Sequence, residues 1–409
     1  MVKVGVIGLG TGGITFISEI RRLRVPCEIF LFEKRGLKVF HPCSIPEALE
    51  GKIELQSLIE PFGLSGITFM GQAREVDPYS LSVGFENNGS IGKVSLDFVF
   101  VATGGDVVLP SKNFFKATKY DDVEKIKQLL PGAKRIGIVG AGILGLELAS
   151  ALSVYPIQIE IFEAKDHILP ELIDRGLSEK LLKKIDRKNV FFNFGRFVND
   201  ISGFDIVIFC TGFKPVSPLP FEIRVDEYMR VIDPRSGKPF DRIFAAGDCI
   251  TYDFKIPRVA TIAAEQARIA ARNIKMIVQG NQPEEKYELF VAPVLVKAFS
   301  YEVGKVGRIH KPSDLQKFYL DLKVLPFDER KIHIYAELDK NGIIYELQAF
   351  CDLRSEVRHI IDISYISMKK MISVSDIRRF ELSYQPEVCK FPDPVTSFAE
   401  FVSRRLGIL

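Results

Sequence analysis

A glycine pattern that occurs twice limits what this chain can fold into. Gly8-Leu9-Gly10-Thr11-Gly12-Gly13 follows the apolar run Val4 to Ile7, and Gly140-Ala141-Gly142-Ile143-Leu144-Gly145 follows Ile136 to Val139. Between a strand and a helix, glycines at this spacing let the backbone turn sharply and approach a pyrophosphate at the helix N-terminus. Each copy closes with a second apolar strand that ends in an acid, Glu33 in the first and Glu163 in the second. A carboxylate at that place can hold ribose hydroxyls. One such pattern alone could be a packing turn. Two copies, each with strand, helix and acid in order, predict two βαβ units and two bound nucleotides.

Composition excludes several alternatives. A chain of 409 residues is too long for one hydrophobic core, so several domains are expected. With 47% hydrophobic and 26% charged residues the chain reads as an ordinary globular protein, and a net charge of +3 offers no basic surface for nucleic acid or membrane. No apolar run reaches the roughly 18 residues of a membrane span, and the glycines in Met1 to Gly8 mark a first strand rather than a leader. The six cysteines show neither C-x-x-C pairing nor zinc spacing, so no metal site is expected and free thiols in a reducing cytoplasm are the expectation.

The domains read as nested. The first unit continues through a meander around Ile67 to Val83 and returns in an apolar strand ending at Ala102-Thr103-Gly104. The second ends at the strand before Thr211-Gly212-Phe213-Lys214-Pro215. Arg242 to Asp248 and a helix from about Val259 to Val278 carry no nucleotide loop, so they complete the first domain. Strand-like runs at 292–299, 332–337 and 343–350 then precede helical ones at 357–371 and 374–382, an α+β arrangement. The expected fold is α/β, with a first nucleotide-binding domain from 1–110 and 223–283, a second from 111–222, and a C-terminal domain from 284–409.

Taken together, the two fingerprints, Glu33, Ala102-Thr103-Gly104, Thr211 to Pro215 and Ala246-Gly247-Asp248 resemble the FAD-dependent pyridine nucleotide–disulfide oxidoreductases. The resemblance spans the chain and implies two Rossmann-like domains of the glutathione-reductase type plus a C-terminal dimerisation domain. By that likeness Gly8, Gly10, Gly12, Gly13, Glu33 and Lys34 would hold the FAD adenosine and pyrophosphate. Ala102, Thr103, Gly104, Gly247 and Asp248 would meet the rest of FAD. Gly140, Gly142, Gly145, Glu147 and Glu163 would serve the nicotinamide cofactor, with Gly212 and Tyr384 also in the cofactor-binding set. Glu163 stands where a 2′-phosphate would need a cation, which favours NADH, although Lys165 lies nearby.

Cys43 decides the branch. A lone cysteine is usually a small buried hydrophobe, but this one follows Glu33 in the same loop, and Ser44-Ile45-Pro46-Glu47 has capping-box form, predicting a helix just after Cys43. A thiol at a helix N-terminus is biased toward thiolate, with Glu47 opposing. Here the chain is similar to the single-cysteine branch: coenzyme A disulfide reductases, NADH oxidases and peroxidases, and persulfide or polysulfide reductases. That branch carries Cys-x-x-Pro here, usually with tyrosine in place of Glu47. The resemblance implies Cys43 as the catalytic thiol and Thr15, Arg22 and Pro42 as substrate contacts. Glu19 departs from the glutamine of coenzyme A disulfide reductases, and Val39-Phe40-His41-Pro42 from their Ser-Phe-x-Asn.

The expected reaction is NADH-dependent reduction of a low-molecular-weight disulfide, persulfide or polysulfide by a homodimer. The alternatives are an NADH oxidase that cycles Cys43 through sulfenate, and an NADH-dependent reductase of a small electron-transfer protein. Cys27, Cys210, Cys249 and Cys351 read as core, His41 as a surface loop residue, and Cys389 as a candidate resolving thiol.

Overall fold

The computed structural model describes the chain except for residues 64, 110–113, 197–201, 254–256, 289–292, 324–328, 353–356 and 384–392. The described residues form two compact units, one from 1–45, 54–108 and 212–288, the other from 46–53, 109–211 and 289–409.

The first unit is built on a sheet of eight strands, with Val2–Ile7 between Cys27–Phe32 and Phe98–Val101, both parallel to it. Phe98–Val101 is buried along its whole length, which is why it reads as a continuous apolar run rather than an alternation. Pro239–Ala245 adds beside it in parallel, so the late segment does return to the first sheet. On the other side Ile67–Asp77, Ser82–Asn87 and Ser90–Ser95 make the meander. The Thr11–Arg22 helix buries Phe16, Ile17 and Ile20, and Phe16 stacks on Phe100 at 3.9 Å. It packs on the Ala260–Val278 helix, whose buried Ala267, Ala270 and Ala271 allow close approach.

The second unit holds two sheets. Val190–Phe194, Gln158–Glu163, Arg135–Val139 and Ile206–Phe209 form a parallel sheet in that order. The five antiparallel strands run in the order Val294–Ala298, Tyr301–Gly307, Ile344–Asp352, Lys331–Leu338 and Gln316–Lys323. The Val357–Lys370 and Pro394–Leu406 helices bury Val357, Ile360, Ile361, Phe398 and Val402 in the core of that sheet.

Two local expectations change. The helix expected over 374–382 stops at Ile377, because Arg379 and Phe380 donate to the carbonyls of Asp376 and Ile377 in tight turns. Around Cys43, helical geometry begins at Pro42 with His41 as cap, so Ser44 lies inside a 3₁₀ turn that runs into Ile45–Glu50 instead of capping that helix from outside. Proline pre-sets the first helical φ, which moves the start ahead of Ser44. The Ser44 amide donates to the His41 carbonyl at 3.3 Å and Glu47 Oε2 has no hydrogen-bond partner among the described residues, so the expected capping box does not form as written.

Candidate functional site

Both fingerprints fold by the same steric rule. Gly8 has φ +99° and Gly140 φ +106°, and a Cβ at either would lie 2.4 Å from the Ala102 carbonyl oxygen or 2.7 Å from that of Cys210. A Cβ on Gly13 would come within 2.0 Å of the Gly8 carbonyl oxygen, and one on Gly145 within 1.9 Å of that of Gly140. Only glycine allows the first turn of each helix to seat this closely on its strand. Gly10 and Gly142 meet nothing within 4 Å, which leaves the turn open where a pyrophosphate would approach.

In the first unit the tips of adjacent parallel strands bring the remaining residues to this turn. Ala102, Thr103 and Gly104 leave the end of Phe98–Val101, and the Ala102 amide donates to the Ile7 carbonyl at 2.8 Å. Thr103 Oγ1 donates to the Val216 carbonyl, and Gly105–Asp106 pairs with Lys214–Pro215 beyond Gly212, whose φ is +98°. Gly247 and Asp248 leave the next strand, with the Gly247 amide on Gln266 Oε1 at 2.8 Å. Asp248 is half-buried, and its desolvation raises the carboxyl pKa against the pull of Arg258. Arg258 also donates to the Asp248 carbonyl at 2.6 Å. Convergence at the carboxyl ends of parallel strands is where open α/β sheets bind ligands.

Glu33 is buried and accepts the Leu9 amide at 2.9 Å and the Arg35 amide and Nε at 3.1 and 3.0 Å. Glu163 accepts the Ala141 amide at 2.8 Å and the Lys165 amide at 3.0 Å. The Lys165 ammonium is directed to Glu171. Lys34 is exposed.

Cys43 and Pro42 are exposed in their 3₁₀ turn, within the same unit as Gly8, Glu33, Thr103 and Asp248. His41 is exposed beside Glu60 at 3.6 Å. Thr15 is half-buried on the first helix. Arg22 folds back on buried Glu19, with Nε to Oε2 at 2.7 Å, and Arg272 Nε reaches the same carboxylate at 3.1 Å. The Arg22 hydrogen bond holds the Glu19 carboxyl below the usual range in spite of its burial.

Glu147 is not a solvated helix residue. Burial pushes its carboxyl up to about 7, with Glu47 adding repulsion and the Lys297 amide and charge opposing. Of the other thiols, Cys210, Cys249 and Cys351 are core as expected. Cys210 and Cys249 are buried and burial pushes them up to about 12 and about 11. Cys351 is buried and Cys27 half-buried. Tyr384 and Cys389 lie outside the described residues. Arg35, Gln266, Arg258, Arg272 and Lys297 escaped the sequence reading. Of these only Arg35, two residues beyond the ribose acid, stood in a position that could have drawn attention.

Residues 2–267 match the pyridine nucleotide-disulphide oxidoreductase family. The chain belongs to that family. It is therefore an enzyme, a flavoprotein oxidoreductase working with FAD and a nicotinamide dinucleotide. Among curated relatives, an NADH oxidase of Methanocaldococcus jannaschii is 23% identical over 98% of this chain and 99% of its own. A coenzyme A disulfide reductase of Staphylococcus epidermidis is 22% identical over 94% and 96%. Among solved structures, an NAD-dependent persulfide reductase from A. fulgidus superposes with TM-score 0.86 at 22% identity, covering 99% of this chain and 84% of that one. A water-forming NADH oxidase from Lactobacillus brevis gives 0.85 at 18%, covering 100% and 99%. At these identities the structures establish a shared fold. No described helix is long and apolar enough to cross a membrane.

Proposed function

We propose that this oxidoreductase uses NADH to reduce a low-molecular-weight disulfide, persulfide or polysulfide through the thiol of Cys43. The observation that carries the reading is the exposed Cys43 in the first turn of a helix, in the same unit as the cradle of Gly8, Glu33, Thr103 and Asp248.

The cradle fits FAD, since the turn is open at Gly10, a carboxylate stands at the strand end, and Thr103, Gly104 and Asp248 converge on it. Gly8, Gly10, Gly12, Gly13, Glu33 and Lys34 would hold the adenosine and pyrophosphate, and Ala102, Gly247 and Asp248 the remainder. Gly140, Gly142, Gly145, Glu163 and Glu147 would hold NADH. The Glu163 carboxylate repels a 2′-phosphate, and Lys165 cannot readily offset this while its ammonium pairs with Glu171.

Bound FAD would accept a hydride from NADH and supply two electrons to sulfur. Cys43 as thiolate attacks one sulfur of the acceptor. A new sulfur–sulfur bond forms on Cys43 as the acceptor's own bond breaks, and the leaving sulfur departs as a thiolate that takes a proton. Two electrons then cleave the bond on Cys43 and restore its thiolate. Pairing of Arg22 with Glu19 supports an acceptor that is not recognised through phosphate groups at Arg22. The protein is expected to be a cytoplasmic homodimer, and light scattering at working concentration tests the dimer.

Oxygen as acceptor is the second reading, favoured by the full-length likeness to an NADH oxidase. In that case Cys43 cycles through a sulfenate. Cys43→Ser separates the readings from a third, transfer to a small protein. It should cut disulfide or polysulfide reduction by about a thousandfold or more while leaving the yellow flavin reducible by NADH. Full reductase activity in Cys43→Ser would remove the thiol from the mechanism.

A further inference from the structure

Glu33 already carries as many donors as a carboxylate can accept. Its Oε2 takes the Leu9 amide at 2.9 Å and Arg35 Nη2 at 3.2 Å, and its Oε1 takes the Arg35 amide at 3.1 Å and Arg35 Nε at 3.0 Å. A carboxylate offers about four lone-pair positions. A ribose diol at Glu33 must therefore take positions that a protein donor gives up. The Leu9 and Arg35 amides are parts of the backbone on either side of the strand and cannot leave without unmaking the turn. The guanidinium can. Its side chain is 38% exposed, and its Cζ already lies 5.8 Å from the centre of the Phe40 ring, within reach of a cation–π contact.

We propose that Arg35 is an exchangeable clamp on Glu33, holding the two carboxylate positions that the adenosine ribose of FAD needs and yielding them to it while its guanidinium keeps its place near the Phe40 ring. This rests on the reading that the first fingerprint takes FAD. The second fingerprint has no equivalent among the described residues: Glu163 takes the Ala141 and Lys165 amides, and the Lys165 ammonium turns to Glu171. Arg35 is thus a specificity and uptake residue for the first site alone. Its planar fork makes two bonds to one carboxylate, a geometry lysine cannot copy.

The test uses the full-length protein stripped of flavin and titrated with FAD, read by flavin fluorescence at equilibrium and in stopped flow. A partly exposed ion pair is worth a factor of about two to five in an equilibrium constant, so Arg35→Gln should bind FAD about two- to five-fold more tightly. The gain should lie in faster association. Arg35→Lys, which keeps the charge and loses the fork, should move in the same direction. Added salt should improve FAD binding to the wild type more than to Arg35→Gln, since it screens the clamp. Unchanged or weaker FAD binding in both variants, with native circular dichroism, overturns the clamp. Failure of wild type and variants alike to take up FAD overturns the assignment of FAD to this fingerprint, and the clamp with it.

Discussion

The two fingerprints share one backbone solution and differ in how their acids are dressed. Gly8 to Gly13 and Gly140 to Gly145 close on their strands with the same positive φ, the same carbonyl contact and the same open middle glycine. Glu33 is enclosed by two amides and a guanidinium, whereas Glu163 takes two amides and no guanidinium among the described residues. The helices also diverge two residues past the last glycine, where the first carries Thr15 and the second Glu147. A duplicated motif preserves what sterics demands and varies what the bound nucleotide must recognise.

The largest effects should come from the shared sterics. Gly13→Ala forces a Cβ to within 2.0 Å of a backbone carbonyl, so it should destabilise the first unit by about 2–4 kcal/mol and abolish flavin retention. Gly145→Ala should do the converse, sparing the visible spectrum and removing NADH binding. Flavin content and NADH titration read the two losses separately. If either variant loses both nucleotides, the copies do not act independently.

The acids should give the next effect. Glu33→Ala removes charge-assisted hydrogen bonds and should weaken FAD by about ten- to a hundredfold. Glu163→Ala should leave FAD in place, raise the KM for NADH and lower that for NADPH. Wild-type kcat/KM equal for the two cofactors would show that Glu163 does not discriminate.

Glu147 marks the second copy by pH. Its folded pKa of about 7 lies above the ordinary 4.5, so its protonated form favours the fold. The contribution is fully present below 4.5 and is lost as pH rises through about 7. Wild type should therefore lose about 1–3 kcal/mol relative to Glu147→Gln between pH 4.5 and 8.5, visible as diverging Tm curves. Parallel curves would place the carboxyl in water.

The smallest effect belongs to Glu19. Glu19→Gln releases Arg22 and Arg272 from a carboxylate, and the KM for coenzyme A disulfide should fall about two- to fivefold. An unchanged KM would mean that Arg22 lies outside the acceptor's path.

Regular elements were legible where periodicity was strong. The helix expected from about Val259 is found at Ala260–Val278, and the strand around Ile332 to Glu337 at Lys331–Leu338. Gln316–Lys323 escaped notice because an edge strand with charged residues on its open face lacks a sustained apolar run. The glycines and both acids were readable for a different reason: the turn tolerates no Cβ, so the residue type records the geometry. Arg35, Arg258, Gln266 and Lys297 were not, because arginine, glutamine and lysine are ordinary surface residues until a partner is known.

By itself the sequence determined the nucleotide turns, the acid at the end of each second strand and the lone thiol of the loop beyond Glu33, since each shows as a residue type at a fixed place along the chain, glycine above all where no Cβ fits. The tertiary structure alone decided how other carboxyl groups are partnered. Glu19 meets Arg272 from a helix far along the chain, and Glu147 sits under the Lys297 backbone. Charge state and hydrogen-bond saturation are set by neighbours in space, and the chain reveals those neighbours only once its strands have paired.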